Sequence, residues 1–92
     1  MYFSDFRVVN RTDSTVTDLV VSDGQQTWSL GDLSAHQQVR FYHHMTGEGG
    51  ALIRWTWQGK GYAGEGCYYT NGMPATGTTT IDGPKLGCNC AP

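Results

Sequence analysis

Apolar and polar positions alternate over short stretches along the whole chain, and each stretch is closed by Gly, Asp, Asn or Pro. No segment holds a 3.6-residue apolar period for three turns, so the pattern predicts strands and no helices. Residues 2–10 and 15–22 read as the first two strands, separated by the polar cluster Asn10-Arg11-Thr12-Asp13-Ser14. Asp23-Gly24 fits a short hairpin turn whose two central residues both take positive φ, and it leads into a third strand at 25–30. Beyond Gly31-Asp32-Leu33-Ser34, a fourth strand at 37–45 carries Val39, Phe41, His43 and Met45 on one face and Arg40, Tyr42 and His44 on the other.

Gly47-Glu48-Gly49-Gly50 reads as a turn into a fifth strand at 51–58, with Ala51, Ile53, Trp55 and Trp57 on one side and Leu52, Arg54 and Thr56 on the other. Strands four and five are therefore expected to pair as a hairpin. A sixth strand at 62–70 contains glycines that weaken it or mark a bulge. Asn71-Gly72-Met73-Pro74 ends it, threonine-rich residues 77–82 form a seventh strand, and residues 85–90 add a short last one after Asp82-Gly83-Pro84. Seven or eight short strands at intervals of about ten residues predict an all-β fold, a small antiparallel two-sheet β-sandwich, with residues 1–92 as one domain. The faces shared with Leu30 and Ile53 place Trp28, Trp55 and Trp57 in its core.

Composition sharpens this picture in three ways. Hydrophobic residues make up 38% of the 92 and charged residues 15%, too apolar and too weakly charged for a disordered chain. The net charge is -2 and the six Lys and Arg are scattered, which leaves no basic stripe for phosphates and excludes nucleic acid as the expected partner. No apolar run approaches the ~18 residues that span a bilayer, so this segment is not expected to insert in a membrane. Residues 1–10 do not form a signal-peptide core, and an exported form would carry its targeting segment upstream of Met1.

The stretch VVNRTDSTVTDLVVSDGQQTWSLGDLSAHQQVRF places a polar Asn-led turn before a Val strand, a Gly hairpin and an aromatic-bearing strand; GEGCYYTNG sets a cysteine ahead of paired tyrosines. In these features the chain resembles the short immunoglobulin- or transthyretin-like β-sandwich domains of bacterial cell-envelope proteins. The resemblance implies an extracytoplasmic, oxidising location, periplasmic or at the cell surface, and a binding or structural role. It implies no catalytic residues.

The side chains with chemistry to offer are few. No serine sits in a Gly-x-Ser-x-Gly context, and the two glutamates, Glu48 and Glu65, lie in a turn and a strand with nothing to pair them. No enzymatic activity, cofactor or prosthetic group is expected. His43 and His44 point to opposite faces of one strand, which bars both from one metal without a bulge, and His36 lies in a loop. Cys67, Cys88 and Cys90 suit either a disulfide from Cys67 to one of the other two, with a thiol left over, or a metal site completed by a histidine. The disulfide is favoured, because closing a loop of about 20 residues contributes ~3 kcal/mol to a fold with a thin core. At least one of Tyr68 and Tyr69 must face solvent, and with Arg40, Tyr42 and His44 they make a candidate protein-binding surface.

The expected function is a non-enzymatic protein-binding or structural module of a bacterial cell-envelope assembly. Two alternatives compete with it. One is a small stand-alone inhibitor or accessory protein, for example phage-encoded, that docks on a host protein; the other is a metal-binding protein built on the three cysteines and a histidine.

Overall fold

A computed structural model of the chain describes residues 3–70 and 72–89. Eight strands follow one another as β1 (Ser4–Asn10), β2 (Val16–Ser22), β3 (Thr27–Leu33), β4 (Gln38–His43), β5 (Gly49–Trp57), β6 (Lys60–Tyr69), β7 (Thr76–Ile81) and β8 (Leu86–Asn89). Each overlaps a strand that the alternation predicts, although β3 runs on through Gly31-Asp32-Leu33 and β5 begins at Gly49, where turns were expected, and there is no helix among the described residues. The strands make two four-stranded sheets, ordered β4-β1-β7-β8 and β3-β2-β5-β6. One continuous core joins them in a sandwich-like arrangement: Phe6, Val8, Phe41 and Ile81 come from the first sheet, and Val16, Leu19, Val21, Ile53 and Trp55 from the second.

The first sheet is mixed, which corrects the expectation of an all-antiparallel fold. β1 and β7 run parallel, from Asp5 beside Thr76 to Asn10 beside Ile81. The pair is tied at both ends, where the Asp5 amide donates to the Ala75 carbonyl and the Arg11 amide to the Ile81 carbonyl, each at 2.9 Å. Tight turns report only the antiparallel partner next along the chain, so a pairing between strands some 70 residues apart leaves no local sequence mark.

Strands four and five do not form the expected hairpin. β4 pairs with β1 in one sheet, and β5 pairs with β2 and β6 in the other. The segment between them crosses from sheet to sheet: Met45 is buried in the core, and Asp23 Oδ2 accepts the amide (2.9 Å) and the hydroxyl (3.1 Å) of Thr46. The β2–β3 hairpin does form at Asp23, but only Gly24 has positive φ, at 92°. Hydrogen bonds from the Gln25 and Gln26 amides to Asp23 Oδ1 (2.8 and 2.6 Å) hold the rest of the turn.

Asn10 is the other junction. It is fully buried, and its Nδ2 donates to the carbonyls of Ser14 (2.8 Å), Leu33 (2.9 Å) and Ser34 (3.2 Å). Its Oδ1 accepts the amide and the hydroxyl of Thr12, at 2.9 and 2.7 Å. The polar cluster expected to separate the first two strands is thus anchored by a buried amide that binds the end of β3.

Of the three tryptophans assigned to the core, Trp55 is buried there, while Trp28 and Trp57 are only partly covered. Trp28 bridges the two sheets where β3 faces β4, with its ring edge-on to Phe41 at 5.2 Å and stacked on His43 at 5.4 Å. Trp57 ends β5 beside Tyr62.

Candidate functional site

Three of the five residues assigned to a binding surface come together on the outer side of the β1–β4 pair. Alternation on β4 sends Val39 and Phe41 inward, so Arg40 and Tyr42 point out, and β4 is an edge strand. Asp5 lies opposite Tyr42 on β1, and Arg7 opposite Arg40. The Arg40 guanidinium grips Asp5 with two parallel bonds, Nε to Oδ1 at 2.8 Å and Nη2 to Oδ2 at 2.7 Å. It also lies 4.7 Å from the centre of the Tyr42 ring. Phe3 continues the patch, 5.1 Å from Tyr42 and 6.2 Å from His44.

The patch is wet and oriented. Phe3 is 42% exposed and Tyr42 50%. The hydrogen bonds from Arg40 hold the Asp5 carboxyl below the usual carboxylate range, against a small desolvation cost and with help from the Arg40 and Arg7 charges. Both partners of this pair are open to solvent, so its contribution is to fix the guanidinium over Tyr42 rather than to stabilise the fold.

Tyr68 and Tyr69 do not join this surface, and a bulge in β6 separates them. Leu52 of β5 faces Glu65, and Gly50 faces Tyr68, so Ala51 stands opposite both Gly66 and Cys67. Parity along β6 is reset at that point. Tyr62, Gly64 and Gly66 face the other sheet on one side of the bulge, and Cys67 and Tyr69 face it on the other. Tyr69 is buried, which corrects its assignment to the surface; its hydroxyl reaches the carbonyls of Asp23 (3.2 Å) and Thr46 (3.3 Å). Burial, then the nearby Asp23 charge, pushes the Tyr69 phenol above its ordinary pKa. Tyr68 is 64% exposed on the outer face of the second sheet.

The bulge also turns Cys67 into the core, where Cys88 of β8 approaches it. Their Sγ atoms are 2.9 Å apart, and Thr79 Oγ1 lies 3.7 Å from Cys88 Sγ. Cys90 lies outside the described residues. Among the described residues no group of three or more His, Cys, Asp or Glu is placed to hold a metal ion. His43 sits at the rim against Trp28 and Phe41, and His36 contacts Asp13 at 2.7 Å on the surface. Sequence reasoning missed Phe3 and Asp5 as members of the patch, because they reach it from β1 and the residue before it, through a pairing that the hairpin signals do not report. Among the described residues no helix is long and apolar enough to cross a membrane.

No protein-family model and no curated protein matches the chain. Among solved structures, the NMR structure of a protein from Eubacterium rectale is similar, with a TM-score of 0.59 and 18% sequence identity over 91% of this chain and 84% of that one. The likeness is one of fold.

Proposed function

We propose that this chain is a non-enzymatic binding module, an immunoglobulin- or transthyretin-like sandwich that engages a protein partner through the outer face of β1 and β4. The observation that carries this reading is the Phe3–Tyr42–Arg40 patch, with ring centres 5.1 Å apart and the guanidinium held over Tyr42 by Asp5. Rigid aromatic area beside a fixed guanidinium is the composition of interface hot spots, since little side-chain entropy remains to be lost on binding. The patch adjoins β4, which ends its sheet among the described strands, a position at which an added strand can pair. The 2.9 Å approach of Cys67 and Cys88 favours a cross-linked form and with it an extracytoplasmic, cell-envelope setting.

A photo-crosslinking residue placed at Tyr42, with a second at Thr56 on the outer face of the other sheet as control, tests the assignment in the source cells. One protein captured at position 42 and not at 56, which then binds the purified chain and loses about tenfold in affinity with Tyr42→Ala or Arg40→Ala, supports it. Equal capture at both positions, or binding indifferent to both substitutions, sinks it.

A further inference from the structure

The register of the first sheet sets one row of outward side chains across its four strands: Arg40 on β4, Arg7 on β1, Thr78 on β7 and Asn89 on β8. Every member of that row can donate a hydrogen bond, and none is acidic. Arg7 and Arg40 stand directly opposite each other, a like-charge pairing that works against the two strands unless something offsets it. Asp5, one row away, offsets only half of it, because Arg40 engages both of its oxygens, at 2.8 and 2.7 Å. Arg7 acts on that carboxylate through its charge alone; it is exposed and makes no hydrogen bond or ion pair among the described residues. The Thr78 hydroxyl is likewise without a partner among them. Arg7, Arg40, Asp5 and Thr78 line a shallow, polar recess of about 530 Å³.

We infer that this recess takes a carboxylate, an Asp or Glu side chain of the protein partner, held by the Arg7 guanidinium and the Thr78 hydroxyl while the aromatic contact forms on Tyr42. The inference rests on the binding-module reading of the β1–β4 face and names the chemistry of its partner. Charge decides between the possible anions. Two guanidinium groups and one carboxylate leave a single positive charge uncompensated, which one further carboxylate cancels. A phosphate monoester, with nearly twice that charge, would leave an excess, and a polyanion would find no more cations along the row. The planar fork of Arg7 matches the two oxygens of a carboxylate, and Thr78 adds a neutral donor beside it. Arg40 and Tyr42 are two residues apart on β4, so the acidic group stands about 7 Å from whatever packs on Tyr42. Binding then relieves the repulsion between Arg7 and Arg40 that the free protein carries.

The test selects a displayed library of random short peptides on the purified full chain and measures the enriched peptides on wild type, Arg7→Gln, Tyr42→Ala and Arg54→Gln, the last an exposed arginine on the outer face of the other sheet. The enriched peptides are expected to share an Asp or Glu. Changing that residue to Asn or Gln, or making Arg7→Gln, should each weaken binding about tenfold, the two together no more than either alone, while Arg54→Gln has no effect. Phosphoserine in place of the acidic residue should bind no tighter. Arg7→Gln removes a repulsion and should melt no lower than wild type. Enriched peptides without an acidic residue, or peptides that lose affinity with Tyr42→Ala and not with Arg7→Gln, overturn the carboxylate site and leave the binding face standing. Tighter binding of the phosphoserine peptide, or a clearly lower melting temperature for Arg7→Gln, overturns it as well. No enrichment, or binding indifferent to Tyr42→Ala and Arg7→Gln alike, removes the face and the site together.

Discussion

Trp55 donates its indole Nε1–H to the carbonyl oxygen of Gly83 at 2.8 Å, joining β5 to the β7–β8 turn across the core. The same glycine carries the ring of Trp57: a methyl group at Gly83 would stand 3.0–3.2 Å from three carbons of that indole. Gly83 has φ of 88° in a turn closed by the Asp82 amide donating to the Lys85 carbonyl at 2.9 Å. Two tryptophans spaced i, i+2 on one strand therefore meet a single turn residue, one through its carbonyl and one through its missing side chain.

Trp55→Phe keeps most of the apolar volume and leaves the buried Gly83 carbonyl without its donor, and it is expected to lower stability by ~1–3 kcal/mol. Gly83→Ala should cost at least ~1 kcal/mol, because it adds a contact to the Trp57 ring and a left-handed backbone strain. Urea denaturation followed by far-UV circular dichroism measures both. Midpoints within error of wild type would show that water replaces the indole and that the turn relaxes freely.

How much of this was legible follows from where each signal lives. The strands were visible because alternation is a local property, and so was the buried face of β5, where Ala51, Ile53 and Trp55 keep strict parity. Parity failed in β6, since a bulge between Gly66 and Cys67 exchanges inside for outside and decides the fates of Tyr68 and Tyr69. The glycines around it announced a bulge without giving its position. Sheet membership was not legible. β4 leaves its chain neighbour for β1, and β1 takes β7 in parallel, choices made by Met45, Asn10 and the Asp23–Thr46 contact acting across the fold. Two of the five patch residues were hidden for the same reason, because Asp5 on β1 and Phe3 just before it reach Tyr42 only through the β1–β4 pairing.

Asn10 offers a sharp contrast between two substitutions. Asn10→Asp keeps the shape and replaces a donor that serves three carbonyls with an acceptor carrying charge, so those oxygens then face a carboxylate. It is expected to destabilise the fold by at least ~3 kcal/mol at neutral pH, and to recover part of that loss in acid, where the carboxyl is protonated and donates again. Thermal melts of wild type and variant between pH 4 and 8 check this. A variant equally stable across that range would mean that the loop swings out and solvates the new charge.

Asp23 should make the fold acid-sensitive. Burial raises its pKa, but amide bonds from Thr46, Gln26 and Gln25 and the Thr46 hydroxyl outweigh that, so the carboxyl titrates below its ordinary value of 3.8. A carboxyl with a lowered folded pKa contributes stability that is present above the unfolded value and lost as the pH falls through the folded one. Stability is thus expected to decline below about pH 4, and Asp23→Ala to be weaker at neutral pH with a shallower acid limb. Tyr69 acts at the other end: its raised pKa means the unfolded chain ionises first, so stability falls above about pH 10, less so in Tyr69→Phe. Chemical denaturation midpoints across the pH range give both limbs, and an Asp23→Ala profile parallel to wild type in acid would refute the assignment.

Gly66 is the position where the bulge is most exacting. A side chain there would meet Ile53 Cδ1 at 2.9 Å, Thr79 Oγ1 at 3.4 Å and the Ala51 carbonyl at 3.6 Å. Those atoms belong to both sheets, so an added methyl has no free direction and must either part the sheets or turn the Ile53 rotamer. Gly66→Ala is therefore expected to destabilise the fold by ~1–3 kcal/mol, although an alanine in a strand interior would ordinarily be better than a glycine. Gly61, on the same strand, has open space where its side chain would be, and Gly61→Ala serves as the control, expected within ~0.5 kcal/mol of wild type or slightly above it. If the two variants prove equally stable, the glycine at 66 is not filling a steric need and the close packing of β6 on β7 is not what fixes the bulge.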